Sequence, residues 1–384
     1  MTVSTPEVSA TAPRVREVPR GGSLAPFLDV AWKINAADPM WVPPLRMVVG
    51  NALNRDKHPF HLHADVAYFI AERGGAAVGR IAAIVNHRHN EFHEDRVGFF
   101  GMFECVDDAS VARLLVDTAA DWVRARGMDT LRGPMNLSTN EEVSSPGVLV
   151  EGFDTPPSIT MSHNPPYYAR LLEGCGLVGS KDLLAYWMPS SVAPERLVRV
   201  VERTSKRDGV TLRPLRMKKL NEEVRIIHEI YNSAWSRNWG FVPMTSEEFT
   251  NLAKDMKSVV DPELCLIAEI GGEPVGFSLA LPDLNHALKH IPDGRLFPFG
   301  VFKLLWHRRK VHSLRLITLG LKPEYQTSGM GAAMYLRTFQ VGARKGFHTA
   351  EASWILDDNH LMRQALEKLD FVVYKRYRIF DRAL

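Results

Sequence analysis

Cysteine is scarce in this chain, with three residues in 384. Cys105, Cys175 and Cys265 stand far apart, are odd in number and share no metal-ligand spacing. That pattern excludes a disulfide framework and an ordinary zinc cluster, and it reads as reduced thiols in a cytoplasmic protein with no metal cofactor. Long hydrophobic runs are missing too: no stretch approaches the ~18 apolar residues of a membrane span, and no apolar h-region follows Met1, so no membrane partner is expected. Nor does one sign of charge dominate. The 47 Lys and Arg against 44 Asp and Glu leave a net +3, which gives no reason to expect nucleic acid as a partner. What remains is an ordinary globular composition, 45% hydrophobic, over a length that suits two or three domains. Residues 1–22, with Ser, Thr, Pro and Gly and little that could pack, read as a disordered arm.

The segment richest in chemistry is Gln326-Thr-Ser-Gly-Met-Gly331, between the apolar run 314–321 and a helix-like run 332–342. A strand that ends in a two-glycine turn and opens into a helix points several backbone N–H groups, and the positive end of the helix dipole, at one spot. Such a spot suits phosphate oxygens. Gly329 and Gly331 allow positive φ and close approach of a ligand to the backbone. No Lys-Ser or Lys-Thr follows the second glycine, so this is no Walker loop, and the dinucleotide fingerprint is absent as well.

The motif resembles the acyl-CoA pyrophosphate loop of the GNAT superfamily of N-acetyltransferases. Its surroundings are similar too: Leu319-Gly-Leu-Lys-Pro-Glu-Tyr325 before it, then strand 350–356, Asn359 opening the helical run 360–369, and strand 371–374. That order covers roughly residues 313–382. Reading the first half against it exposes a second copy. Strands 66–73 and 77–86 around Gly74-Gly75 match strands 264–270 and 274–281 around Gly271-Gly272, down to the pairs Val78-Gly79 and Val275-Gly276. A strand at 96–106, a helix at 109–127, a strand at 130–137, a helix at 167–174 and closing strands at 177–188 complete the first copy. Where the second copy has its glycine turn, the first has Glu104-Cys-Val-Asp-Asp108, carboxylates where a diphosphate needs bare amides. The expected fold is therefore α/β, an α+β mixed sheet, as two tandem GNAT folds. A degenerate copy spans 23–189 and an acyl-CoA-binding copy 195–384, joined near Pro189 and Pro194. Helices are expected at 195–207, 220–235 and 246–260, the last with Ser246 as N-cap, and a first strand at 210–217.

The whole chain also resembles a bacterial family of tandem acetyltransferase-like proteins. The similar segments are Gly79-Arg-Ile-Ala-Ala83 with His89-Asn90, Gly98-Phe-Phe-Gly101, Gly133-Pro-Met-Asn136 with Asn140-Glu-Glu142, Met161-Ser-His-Asn-Pro-Pro-Tyr-Tyr168 and Tyr374-Lys-Arg-Tyr-Arg378. The resemblance carries fold and donor class, and leaves the acceptor open.

Carried onto these positions, the superfamily's arrangement implies acetyl-CoA or another acyl-CoA as co-substrate. Main-chain groups of Leu319 and Leu321 would bind pantetheine in a gap between splayed strands. Amides of Gln326, Thr327, Ser328, Gly329, Met330 and Gly331 would hold the diphosphate, and Asn359 would contact the CoA arm. A primary amine, on a small-molecule or amino-acid-like acceptor, attacks the thioester carbonyl, whose oxyanion the N–H of Leu319 would stabilise. The chain departs from the family at two places. The position seven after Asn359, where a Tyr commonly protonates the thiolate, holds Leu366, with Tyr374 and Tyr377 as substitutes. Run 314–321 carries no carboxylate, which leaves Glu351, beside Ser353, as the candidate base or else as a buried carboxylate paired with Arg or Lys. Asp357 and Asp358 read as N-cap groups.

The long interruption 283–311 reads as a substrate lid or as a helical hairpin over the repeat interface. Its Arg308, Arg309 and Lys310 are a solvated face or meet an acidic group. His58, His61 and His63 lack helical or cysteine partners for a metal. His163, Asn136 and Asn140 line a pocket or stabilise turns, and Phe99, Phe100 and Phe103 read as core. Two other functions compete with acetyl or short-chain acyl transfer. One is an aminoacyl-tRNA-dependent transferase of the tandem peptidoglycan-bridge type, disfavoured by Gly329 and Gly331; the other is a non-catalytic acyl-CoA sensor, favoured by the missing Tyr.

Overall fold

The computed structural model describes residues 12–140, 146–190, 192–205, 209–257 and 259–384. Residues 1–11 of the expected arm, Glu141 and Glu142, Arg207 at the end of an expected helix, and Ser258 lie outside them. Thirteen strands form one sheet among the described residues: β1 Arg14–Glu17, β2 Ala64–Arg73, β3 Ala76–Asn86, β4 Val97–Cys105, β5 Thr130–Gly133, β6 Val148–Glu151, β7 Val178–Met188, β8 Val210–Pro214, β9 Cys265–Ile270, β10 Glu273–Pro282, β11 Ser313–Leu321, β12 Thr349–Leu356 and β13 Val372–Ala383. Their order is β1-β2-β3-β4-β5-β13-β7-β12-β11-β10-β9-β8, with β6 paired on β13.

The order shows both the repeat and its crossing. Each half is an antiparallel meander that ends in a parallel pair, β4 with β5 and β11 with β12. A helix makes each parallel crossover, as parallel strands require. These helices are Ala109–Arg124 and Met330–Arg344. The last strand of each half then lies in the other half: β13 pairs with β5, and β7 pairs with β12. The two strands also pair with each other along Val372–Asp381 and Val178–Trp187. One apolar layer accordingly runs through both halves, joining Tyr68, Ile84 and Met102 to Leu356, Tyr377 and Ile379.

The apolar stripe expected on helix Ala109–Arg124 is buried: Ala112, Leu115, Val116, Ala119 and Val123 face the sheet. Trp122 sits at the rim with the Arg126 guanidinium 3.5 Å from its ring centre. Three expectations need correction. Arg14–Glu17 forms edge strand β1 on β2, so the segment 1–22 is not wholly an arm without structure, because alternate residues there find ladder partners. The N-cap of helix Ser246–Met256 is Thr245, one residue before the expected Ser246. Thr245 Oγ1 accepts from Glu248 N at 3.1 Å while Glu248 Oε2 accepts from Thr245 N at 2.8 Å, a reciprocal box that Ser246 is not placed to make. The helix His360–Glu367 is capped by Asn359 itself, whose Oδ1 accepts from Met362 N at 3.1 Å, rather than by Asp357 or Asp358; Asp358 pairs instead with Lys181 at 2.6 Å.

Candidate active site

Past Leu316 the two parallel strands part. β11 pairs with β12 only from Ser313 to Leu316, against Thr349 to Ala352, while its other edge follows β10 to Leu321. Residue 317 is the extra residue of a bulge, since Leu279 opposes Thr318 and Ala280 opposes Leu316. Among the described residues, the β11 edge beyond it, carrying Leu319 and Leu321, has no strand partner on the β12 side, so its alternating amides and carbonyls are open to a ligand. On the far side β12 has its own irregularity, between Ala352 and Ile355.

Beyond Leu321 the chain makes a short turn at Pro323–Tyr325 and enters the helix Met330–Arg344 through Gly329. Gly329 has φ 86°, a conformation that only glycine holds without strain. Gln326 and Thr327 are exposed, Ser328 and Gly329 partly so, and Met330 anchors the turn by burying its side chain beside Leu321 and Met334. The Ser328 hydroxyl donates to Tyr325 O at 2.6 Å and accepts weakly from Met330 N at 3.3 Å. No side chain caps this helix, and among the described residues no acceptor lies on the amides of Thr327, Gly329, Gly331 or Ala332. Gly331 is telling for a different reason: a Cβ there would meet Leu319 Cδ2 at 3.7 Å, an ordinary contact. Packing does not demand glycine at 331, and glycine costs a helix about 1 kcal/mol. A ligand resting on the bare backbone supplies the missing reason.

The matching helix start in the first half is shut. Asp108 Oδ1 accepts from Ser110 N at 2.8 Å and Val111 N at 3.2 Å, and its other oxygen pairs with Arg73 at 2.8 Å. Arg73 and the Ser110 bonds hold the Asp108 carboxyl well below the usual carboxylate range, so it keeps its charge. Glu104 is filled as well, by Tyr168 Oη at 2.7 Å, Asn35 Nδ2 at 2.9 Å and Arg80 at 3.5 Å.

Glu351 is fully buried on β12, behind the gap. Both oxygens are engaged: Ser353 Oγ donates to one and Tyr374 Oη to the other, and Arg315 Nε lies 3.6 Å away. Arg315, itself buried, donates to Ser353 Oγ at 2.9 Å, Ser353 O at 3.1 Å and Ile159 O at 2.7 Å, so one guanidinium ties β11, β12 and the 159–161 segment of the first half together. Burial, with the Glu351 carboxylate beside it, holds the Tyr374 phenol far above its ordinary pKa, and the hydroxyl stays protonated toward Glu351. Tyr377, the other substitute acid, is wholly buried. Asp283 is buried nearby and takes Ile159 N at 2.8 Å; burial raises its pKa.

A cavity of about 1140 Å³ opens from this gap. Its walls come from both halves: Trp32, Trp41, Met102 and Met161 from the first, and Phe277, Thr318, Leu319, Trp354 and Met362 from the second, with Arg315, Ser353 and Asn359 among the polar groups that interrupt a mainly apolar surface. The segment 283–311 roofs it, Leu288, Leu296 and Leu304 facing in. The roof is fastened to the first half, through Trp32 Nε1 to Pro292 O at 2.8 Å, Arg46 N to Gly294 O at 2.9 Å and Asn285 Nδ2 to Pro157 O at 2.8 Å. The segment thus covers the cavity and also bridges the repeats. His163 and Asn140 also line the cavity, yet both have protein partners: His163 Nε2 meets Asp38 at 2.9 Å, and Asn140 Nδ2 donates to Val242 O at 2.8 Å. His61 and His63 turn to separate partners, Ala52 O at 3.0 Å and Glu248 at 2.7 Å.

Arg315, Asp283 and Asp38 were not singled out from the sequence. A signal existed for the first: a lone arginine inside the apolar run 314–321 must, if that strand is buried, meet a carboxylate.

Residues 224–371 match the family model described as "Acetyltransferase (GNAT) family". A protein of Caulobacter vibrioides named "Bacterial ceramide synthase" is 40% identical over 369 residues, 94% of this chain and 95% of that one. The chain belongs to the GNAT family. Protein YghO of Escherichia coli is a second full-length relative, 34% identical over 378 residues and covering 96% of this chain and 95% of its own. Among solved structures, the "Tandem GNAT protein from the clavulanic acid biosynthesis pathway (without AcCoA)" superposes with TM-score 0.56 over 97% of this chain and 98% of that one, at 12% identity, which speaks for the fold alone. This GNAT protein is thus an acyltransferase built as two tandem copies of the fold, the first of them degenerate.

Proposed function

We propose that this GNAT protein takes an acyl group from acyl-CoA and transfers it to a primary amine borne on a long alkyl chain. The observation that carries this reading is the cavity. At about 1140 Å³ it exceeds the ~300–1,000 Å³ of ordinary small-molecule pockets, and its walls are mainly apolar. An acetyl group and a small amine would leave most of it as water against hydrocarbon, which is unfavourable. A long acyl chain, a long-chain amine or both would fill it, so the cavity favours a longer acyl group than the short one the sequence suggested. The relative named a ceramide synthase points the same way, because a ceramide is an N-acylated long-chain amino alcohol.

In this reading the diphosphate rests on the free amides of Thr327, Gly329, Gly331 and Ala332, since those of Gln326 and Ser328 are taken by the turn carbonyls of Pro323 and Tyr325, and the pantetheine lies along the open β11 edge at Leu319 and Leu321. Asn359, on the cavity wall, borders the arm. The unit that binds CoA is residues 195–384, completed by β7 from the first half. The neutral amine attacks the thioester carbonyl, and an N–H on the open edge, that of Leu319, stabilises the oxyanion. Glu351 receives the amine proton by way of Ser353, whose hydroxyl stands between carboxylate and cavity, while Tyr374 and Arg315 fix that carboxylate; the carbon–sulfur bond then breaks, and CoA leaves as a thiolate that takes up this proton. The full hydrogen-bonding of Glu351 also favours a second reading, a carboxylate that only holds strands together.

Thiol release from acyl-CoA substrates of increasing chain length, against water-soluble and long-chain amines, tests the function. Turnover should need a long-chain amine and rise with acyl length; best activity with acetyl-CoA and a small polar amine would refute the reading. Glu351→Gln separates the two roles. As proton acceptor it lowers kcat with CoA affinity kept; as a structural group it lowers the melting temperature and leaves kcat of the folded fraction intact.

A further inference from the structure

The outer surface of the cavity roof is unlike the rest of the molecule. Of the thirteen exposed large hydrophobic residues among those described, five fall between positions 297 and 306: Phe297 at 75% exposure, Phe299 at 71%, Phe302 at 68%, Leu305 at 49% and Trp306 at 63%. The helix Gly300–His307 explains the arrangement. Phe302, Leu305 and Trp306 follow the i, i+3, i+4 spacing of one face, while Leu304 on another face lines the cavity. The helix therefore has apolar side chains on two sides, one packed and one bare.

Around the bare face lie exposed cations. Lys289, Arg295, Lys303, Arg308, Arg309 and Lys310 are all exposed, and none has a salt bridge to a described residue. In the same stretch, 284–310, Asp293 is the single acidic residue. The cations are close enough to act on one group: burial first, then His307, Lys310, Lys289 and Lys303, lower the pKa of His290, whose ring stacks on His307 at 3.5 Å. An exposed aromatic face ringed by unpaired Lys and Arg matches the chemistry of an anionic lipid surface, where aromatic rings sit at headgroup level and cations meet phosphates.

We propose that the roof segment 289–310 docks this protein in the plane of an anionic bilayer, with Phe297, Phe299, Phe302, Leu305 and Trp306 in the headgroup layer and the flanking Lys and Arg on lipid phosphates. The opposite side of the same segment faces the cavity through Leu296 and Leu304, so docking sets the cavity against the membrane. A helix of eight residues lies far below spanning length, and none of the described helices is long and apolar enough to cross a membrane. Attachment would be in-plane, a mode that needs no spanning run. Docking stands apart from the acceptor assignment, but it would give a long-chain amine a route that avoids water.

The test uses the full chain with vesicles of phosphatidylcholine alone and of phosphatidylcholine mixed with phosphatidylglycerol. Co-sedimentation is expected with the mixed vesicles, to weaken with added salt, and to fall about tenfold in Phe302→Ser/Trp306→Ser and in Arg308→Gln/Arg309→Gln. Melting temperature and CoA binding, measured on the same variants without vesicles, should match the parent, since none of these side chains lines the cavity. A parent protein that stays in the supernatant with mixed vesicles overturns the proposal, and so do variants that sediment like the parent. Sedimentation velocity without lipid supplies a further check: a dimer that Phe302→Ser dissociates would assign the face to a second copy and overturn bilayer docking. Loss of activity on long-chain amines with vesicle binding intact would instead remove the acceptor reading alone.

Discussion

Two helix starts occupy the same place in the two halves and have opposite chemistry. At Ala109–Arg124 the orphan amides are taken by Asp108, which is tied in turn to Arg73, and Glu104 stands behind it among Tyr168, Asn35 and Arg80. At Met330–Arg344 the start is Gly329 in the left-handed region, with no side-chain cap and an exposed turn before it. A fold position built for an anion is filled in one half by the protein's own carboxylates and left bare in the other. Each half also has a glutamate that accepts from a tyrosine hydroxyl and approaches an arginine. In the first half it is the partly buried Glu104, behind the helix start; in the second it is the fully buried Glu351 on β12, behind the cavity wall.

The largest effect is expected from breaking the second pair. Arg315→Met leaves the Glu351 carboxylate buried without its cation, which should cost about 3–5 kcal/mol in urea unfolding. Arg80→Met in the first half should cost less, because Glu104 keeps Tyr168 and Asn35 and is not fully buried. Equal losses would remove the contrast between the two carboxylates.

Next comes the bare turn. Gly331→Leu adds a side chain where the backbone has room for one, so the fold should stand while the diphosphate loses about two charge-assisted hydrogen bonds. That amounts to about 3 kcal/mol, or roughly 100-fold in CoA affinity by calorimetry. An unchanged affinity would take the turn out of the account. Asp108→Ala is expected to lose about 1 kcal/mol of stability as a lost cap and to create no second CoA site, since Glu104 and Asp107 remain. Appearance of a second site would show that Asp108 alone closes the first copy.

A further contrast separates the halves by pH. Burial pulls the imidazole of His61 down to about 4 and that of His89 to about 3, both in the first half. Their folded values lie below the unfolded one, so between these values and about 6.5 the unfolded chain binds protons that the folded chain does not. Stability should therefore fall as pH drops through that window, by up to about 1.4 kcal/mol per pH unit for each residue. His89→Gln should flatten the slope seen in urea melts between about pH 7 and 5. A slope that persists unchanged would mean that other groups govern the acid sensitivity.

Local chemistry made much of this legible in advance. Gly74-Gly75 and Gly271-Gly272 marked the hairpins, the 3.6-residue stripe marked helix Ala109–Arg124, and two glycines before a helix marked the anion turn. Pairing between distant strands was not legible. β7 and β13 have patterns that suit any central strand, and nothing local says that each belongs beside the other half's parallel pair. The short strands β1 and β6 escaped for a related reason, since four residues carry almost no periodic signal. The caps were read one residue late at Ser246 and one or two early at Asp357 and Asp358, because Ser, Thr, Asp and Asn neighbours compete for the position and only geometry chooses. Glu351 was read either as a base or as a buried carboxylate paired with Arg or Lys, but which partners it would meet was hidden: they depend on what lies across the sheet, here Arg315 and Tyr374.

Calorimetric titration of the intact protein with CoA tests the central claim most directly, because it counts sites as well as affinity. One CoA per chain is predicted, with its affinity lowered roughly 100-fold in Gly331→Leu and kept in Asp108→Ala. Two CoA per chain, or binding that survives Gly331→Leu and vanishes in Asp108→Ala, would contradict it.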